Sequence, residues 1–198
     1  MLTAATFRHS LLSLVLVFLM LFSAQTYGQV SSSPGNVTTP EDVAYIFKDG
    51  DFPFSTTGAG TLNEVEIIVP PGFGTKGVLF LDGSGTGSPN GNFNFGEEVN
   101  NNQVISIADI NSGYLIYEAN QEQCGSSYDN FTFQVSDGTN SSGTQTMTID
   151  VTCLNDPPTF TISGDVTVNE DFTGTQTVTV TPDPVPPNET GQTVTYSL

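Results

Sequence analysis

Apolar side chains recur at every second position in one short segment of this chain after another, and turn-forming residues separate the segments. Val65, Ile67 and Val69 alternate with Glu64, Glu66 and Ile68, and Phe131, Phe133 and Val135 alternate with Thr132, Gln134 and Ser136. Met147, Ile149, Val151 and Cys153 do the same with threonines and Asp150 between them. Successive side chains of a strand point to opposite faces, so a period of two describes sheets with one wet face. No segment carries a convincing helical period. Strands are expected at 43–47, 64–69, 77–81, 103–107, 114–117, 130–136 and 144–153, with Gly/Asn/Asp-rich turns between them. Repeated this often, the pattern predicts an all-β chain whose residues 41–156 form one β-sandwich of ordinary domain size.

Charge narrows the chemistry. The 198 residues hold 21 acids against three bases (Arg8, Lys48 and Lys76), and His9 is the one histidine. Such a surface repels phosphate backbones, which excludes nucleic acid as a partner. Residues 1–28 read as a secretory signal, with Arg8 in a short basic region and an apolar run over 11–22 that is too short to span a bilayer. Thr26 and Gly28 are the small residues that precede a cut after Gly28. Cleavage there removes both Arg8 and His9. The remaining chain could build no Ser-His-Asp or Cys-His catalytic set and no histidine-ligated zinc. Tryptophan is absent as well. Carboxylates, amides, hydroxyls and backbone carbonyls are left, and these are the ligands of a hard cation such as calcium.

Export also sets how the two cysteines are read, because an oxidising compartment permits a disulfide. Residues 137–143 form a hairpin turn by composition. A register pairing Phe133 with Met147 and Phe131 with Ile149 brings Cys124 and Cys153 near one another at the hairpin's open end. A bridge there would stabilise the fold by ~3–4 kcal/mol in the chain-entropy picture. CxxC spacing is absent, so redox catalysis has no support.

Residues 29–40 are polar and rich in Pro, Ser and Thr, and are expected to be a mobile lead-in. The 82–96 stretch is expected to be a plain loop. It lacks phosphate-binding spacing, and Phe93 stands where an EF-hand beginning at Asp82 would need its bidentate glutamate. Pro157 and Pro158 close a linker, and further strand signals follow at 165–169, 175–180 and 193–198.

At that linker the chain resembles bacterial cadherin-like repeats, including the tandem-95 type. Tyr128-Asp129-Asn130-Phe131-Thr132-Phe133-Gln134-Val135-Ser136-Asp137-Gly138 looks like their closing strands. Thr148-Ile149-Asp150-Val151-Thr152 and Asn155-Asp156-Pro157-Pro158 complete that ending. Pro158-Thr159-Phe160, Val166-Thr167-Val168-Asn169-Glu170-Asp171 and Val194-Thr195-Tyr196-Ser197-Leu198 look like the start of the next domain. The resemblance implies an Ig-like, cadherin-like sandwich over 41–156 and the incomplete start of a second over 157–198, within a longer repeat protein. It also implies calcium at the junction, with Asn155 and Asp156 as linker ligands and Glu170 from the following domain. Asp183 stands where such repeats carry an Asp-x-Asp pair, but Val185 replaces the second carboxylate.

Two further acidic groups are candidates from the residues alone. Glu41 and Asp42 precede the first strand, and Asp49 and Asp51 follow it with Gly50 between them, a spacing that lets carboxylates converge on one cation. No enzyme is expected, since the acids cluster at turns and domain ends without an aromatic-rich cleft. The expected function is that of a secreted or surface-displayed repeat protein, serving in adhesion or as a calcium-stiffened stalk that contacts other surface proteins or glycans. The alternative is a non-catalytic carbohydrate-binding module with Tyr45, Tyr114 and Tyr117 as its sugar platform.

Overall fold

The computed structural model describes residues 28–84, 88–191 and 195. The apolar run at 11–22 and all but Thr195 of the strand expected at 193–198 lie outside them. Among the described residues twelve strands run in chain order: β1 (Val30–Ser31), β2 (Gly35–Pro40), β3 (Tyr45–Ile46), β4 (Ser55–Thr56), β5 (Glu64–Val69), β6 (Gly77–Leu81), β7 (Gln103–Ser106), β8 (Leu115–Ala119), β9 (Gly125–Ser136), β10 (Gln145–Thr152), β11 (Phe160–Ile162) and β12 (Val180–Pro182). A five-stranded sheet has the order β2-β10-β9-β5-β7, and a three-stranded sheet has the order β3-β8-β6. The short pairs β1-β4 and β11-β12 stand beside them. The chain is all-β, as its period-two pattern requires.

Both larger sheets feed one core. Val65 and Ile67 of β5, Phe131, Phe133 and Val135 of β9, and Met147, Ile149 and Val151 of β10 meet Leu79 of β6 and Leu115 and Tyr117 of β8. Phe47 packs edge-on against Phe131, and Phe52 packs edge-on against Phe133, at centroid distances of 5.6 and 5.2 Å. The 3-10 turn Asp49–Asp51 lies between those two phenylalanines and sends both inward.

Three expectations need correction. The 29–40 segment is not a loose lead-in, because β2 pairs in parallel with β10 from Gly35–Met147 to Pro40–Thr152. Val37 and Thr39 alternate inward there, and β2 satisfies backbone groups of β10 that would otherwise form an open sheet edge. The β9–β10 register also differs from the expected one. Met147 pairs with Phe131 and Ile149 with Asp129, two residues away from the anticipated partners. A slip of two keeps every side chain on its expected face, so the alternation is blind to it. Finally, a helix, α1 (Ile107–Asn111), follows β7 directly. The Ser106 hydroxyl accepts from the Asp109 backbone N–H at 3.1 Å and donates to the Asp109 carboxylate at 2.7 Å. A single capped turn is too short to leave a periodic signal.

The 82–96 loop is pinned from beneath by two buried carboxylates. Asp82 accepts from the backbone N–H groups of Asn90 and Gly91, while Glu97 accepts from those of Gly83 and Asn94. Beyond Pro158, β11 and β12 form a two-stranded ribbon, and no third strand joins it among the described residues. Phe160, Ile162, Val166, Val168, Phe172 and Val178 stay exposed there.

Two side-chain networks lend themselves to measurement. Tyr117 is fully buried and donates its hydroxyl to Asp129 at 2.9 Å, and burial together with the Asp129 charge holds the phenol protonated. Tyr117→Phe leaves a buried carboxylate short of a donor and should cost about 1–3 kcal/mol in urea unfolding. An unchanged midpoint would show that the pair contributes nothing. Asp150 ties three strands together, accepting from the Ser127 backbone N–H at 2.5 Å and from the Asn36 amide at 2.9 Å. These donors, Ser127 first, hold its carboxyl below the usual range. A lowered carboxyl contributes stability that is complete above its unfolded-state value of about 3.9 and is lost as pH falls through the lower folded-state value. Asp150→Asn should therefore melt below the native chain at pH 7, and the gap should close on acidification below about pH 4. A gap independent of pH would refute this assignment.

Candidate metal centre

Past the last ladder pair, Val151–Gly125, the strands β9 and β10 run on into two short arms. Cys124 and Cys153 join these arms in a disulfide with a Cα–Cα distance of 5.1 Å. Two residues before Cys124 lies Glu122, and three after Cys153 lies Asp156. The segment leaving β2 passes the same corner and brings Asp42. Carboxylate oxygens of Asp42, Glu122 and Asp156 all lie within 4.8 Å of one another.

The backbone is bent to achieve this. Asp42 and Glu122 both have positive φ, at 59° and 57°. For a glutamate the left-handed region costs about 1–3 kcal/mol, and such residues gather at functional sites. The Glu122 backbone N–H donates to Asp42 Oδ1 at 3.2 Å, which fixes the two turns against each other.

Electrostatically the cluster is unbalanced. Burial first, and then the neighbouring charges of Asp156, Asp42 and Glu41, push the Glu122 carboxyl above the usual carboxylate range. Neither lysine is spent on relieving it. Lys48 donates to the Asn111 carbonyl, and Lys76 donates to the Tyr128 carbonyl while lying over the Tyr128 ring.

Among the described residues, three buried side-chain polar atoms lack a hydrogen-bond partner: Glu122 Oε2, Asp156 Oδ2 and Asn188 Oδ1. All three belong to this corner, and all are oxygens. Native folds leave few such atoms unmatched, and a group of oxygens without donors is what a hard cation completes.

The segment after the linker closes over the corner. Glu41 is almost wholly buried, and it accepts from the Leu154 backbone N–H at 2.5 Å and from the Asn188 amide at 2.6 Å. Glu189 accepts from the Asp156 backbone N–H at 2.6 Å. Among the described residues from 157 onward, Glu189 is the one buried residue.

The expected ligands therefore divide. Asp42 and Asp156, drawn from separate expected groups, meet in one cluster, with Glu41 bonded beside them. Asn155 is adjacent in the linker, and its amide turns back to the Asp156 carbonyl. Asp49 and Asp51 serve their own turn: Asp51 accepts from the Tyr45 hydroxyl and the Lys48 N–H, and Asp49 caps Gly50. Glu170 is exposed and Asp183 half-buried, and neither joins the three-carboxylate cluster. Of the three tyrosines of the sugar-platform alternative, Tyr117 lies in the core, while Tyr45 and Tyr114 are half-buried.

Glu122 was absent from the expected set. Continuing the hairpin two residues past each cysteine reaches Glu122 on one arm and Asn155 on the other, so the disulfide spacing already held the signal. For Asn188 and Glu189 the sequence offers no comparable signal. No family model, curated protein or solved structure matches this chain.

Replacing Glu122 separates the two faces of the cluster. In chelator, Glu122→Gln should raise the melting midpoint, because one of the mutually repelling carboxylates is gone. In a calcium titration the same variant should bind on the order of tenfold more weakly. A variant that melts lower in chelator and binds calcium unchanged would remove Glu122 from the site.

Proposed function

We propose that this chain is a secreted or surface-displayed repeat protein, cadherin-like in type, that serves in adhesion or as a stalk, and that calcium stiffens its inter-repeat junction. The observation that carries this reading is the Asp42–Glu122–Asp156 cluster with its unpartnered buried oxygens. It lies where the β9–β10 arms meet the linker, and the 187–189 turn of the following segment packs on it. Calcium held by these three carboxylates would offset two of their three negative charges and supply the partner that their oxygens lack. With backbone carbonyls or water added, they suffice for a cation that takes six to eight oxygens.

The mechanical effect follows from where the ligands sit. Asp42 and Glu122 belong to the first unit, and Asp156 to the linker. Asn188 and Glu189 couple the second segment to Glu41 and Asp156. A cation bound at the corner would fix the linker to the first unit and thereby limit how the second segment swings. The disulfide fits an oxidising compartment, where millimolar calcium is available. No helix among the described residues is long and apolar enough to cross a membrane.

Thermal unfolding of the full chain in calcium, magnesium and chelator tests the reading. A site with a dissociation constant of roughly 0.1–0.2 mM should add ~1.5 kcal/mol at ~2 mM calcium and raise the midpoint by several degrees. Magnesium, which demands a tighter octahedron, should do much less. Equal midpoints in calcium and chelator would overturn the proposal.

A further inference from the structure

The Cys124–Cys153 bridge is placed where a stabilising crosslink has little left to do for the sheet. The ladder already pairs β9 with β10 from Gln145–Phe133 to Val151–Gly125, and the bridge lies beyond its last pair. What it joins are the two arms that carry Glu122 and Asp156. Those carboxylates repel each other, and Asp42 and Glu41 add to the repulsion. Hydrogen bonds to Glu41 and Asp42 touch each arm separately: Glu41 binds the Thr152 carbonyl and Leu154 N–H on one side, and Asp42 binds the Glu122 N–H on the other. The disulfide is the covalent tie between the two arms.

We propose that Cys124 and Cys153 are positioning residues of the cation site. Their bridge holds Glu122 and Asp156 at ligating separation against their own repulsion and thereby sets the affinity for calcium. This rests on the calcium reading above. Without the tie, the arms relax apart, and the cation must draw them together at the expense of its own binding free energy. Linkage makes the effect reciprocal, so bound calcium must shield the bridge from reduction by the same factor by which the bridge tightens calcium. Reduction by a dithiol such as dithiothreitol transfers two electrons and two protons. The protein disulfide becomes two thiols, and the reagent becomes its cyclic disulfide.

Two measurements on the full chain test this. Calorimetric titration with calcium compares the native chain with a Cys124→Ser/Cys153→Ser variant, and the expected loss is about tenfold in affinity or more. Equilibration in a dithiothreitol redox buffer, with calcium or with chelator, should then show the native bridge harder to reduce in calcium by the same factor.

Circular dichroism checks that the serine variant is folded. If it is not, two glycines inserted between Leu154 and Asn155 leave the bridge intact but free Asp156 from it. That variant should melt like the native chain in chelator and bind calcium more weakly. If the native chain binds calcium while the altered chains bind it equally well, or the redox equilibrium ignores calcium, the positioning role is overturned and the junction reading stands. If the native chain binds no calcium, both fall.

Discussion

The β9–β10 ladder is the constraint on which the remaining structure depends. These two strands are central in the five-stranded sheet, so β9 sets the register of β5, and β10 sets that of β2. A slip by one residue would turn Phe131, Phe133, Met147 and Ile149 out of the core together, which burial forbids. The ladder shifts register once, between Ile149 and Val151, and then ends. That irregularity steers the two free ends toward each other, and everything at the acidic corner follows from where they emerge.

A chain with this much negative charge must decide where each carboxylate rests. Most of its buried ones are supplied with donors: Asp82 and Glu97 by loop backbone, Asp129 by Tyr117, and Glu41 by Leu154 and Asn188. Asp137 and Asp150 are similarly held by backbone N–H groups, which depress their carboxyls. The Asp42–Glu122–Asp156 corner departs from this practice, with oxygens brought together, and Glu122 Oε2 and Asp156 Oδ2 left without a donor. The contrast within one molecule sets that corner apart from the general acidity of the surface.

Much of the fold was legible because burial imposes a period of two. The strands β5 and β6 begin and end at their expected residues, β9 ends at its expected residue but begins five earlier, and β10 falls one residue short at each end. What escaped the sequence are features that alternation does not encode. A parallel edge strand such as β2 is short and polar, α1 is one capped turn, and a register displaced by two residues leaves the faces unchanged. The site was half legible. Asp42 stands out as an acid just before the first strand, and Asp156 follows from the likeness of the linker to cadherin-like repeats, but nothing local joins residues so far apart in the chain. Glu122 needed the hairpin to be carried past its cysteines, and Glu189 needed the path of the 183–189 segment in space.

The parallel pairing of β2 with β10 has a consequence for a molecule under load. Tension applied through the chain enters β2 at its Gly35 end and leaves β10 at its Thr152 end. In this pair those ends lie at opposite extremes of the shared ladder. The two strands are thus pulled past each other along their length, and the hydrogen bonds from Gly35–Met147 to Pro40–Thr152 bear the force together. An antiparallel pair loaded at adjacent ends would open one bond at a time. Under such a load the short β1–β4 contact would peel away first, and the polar edge strand before Glu41 would then resist in shear.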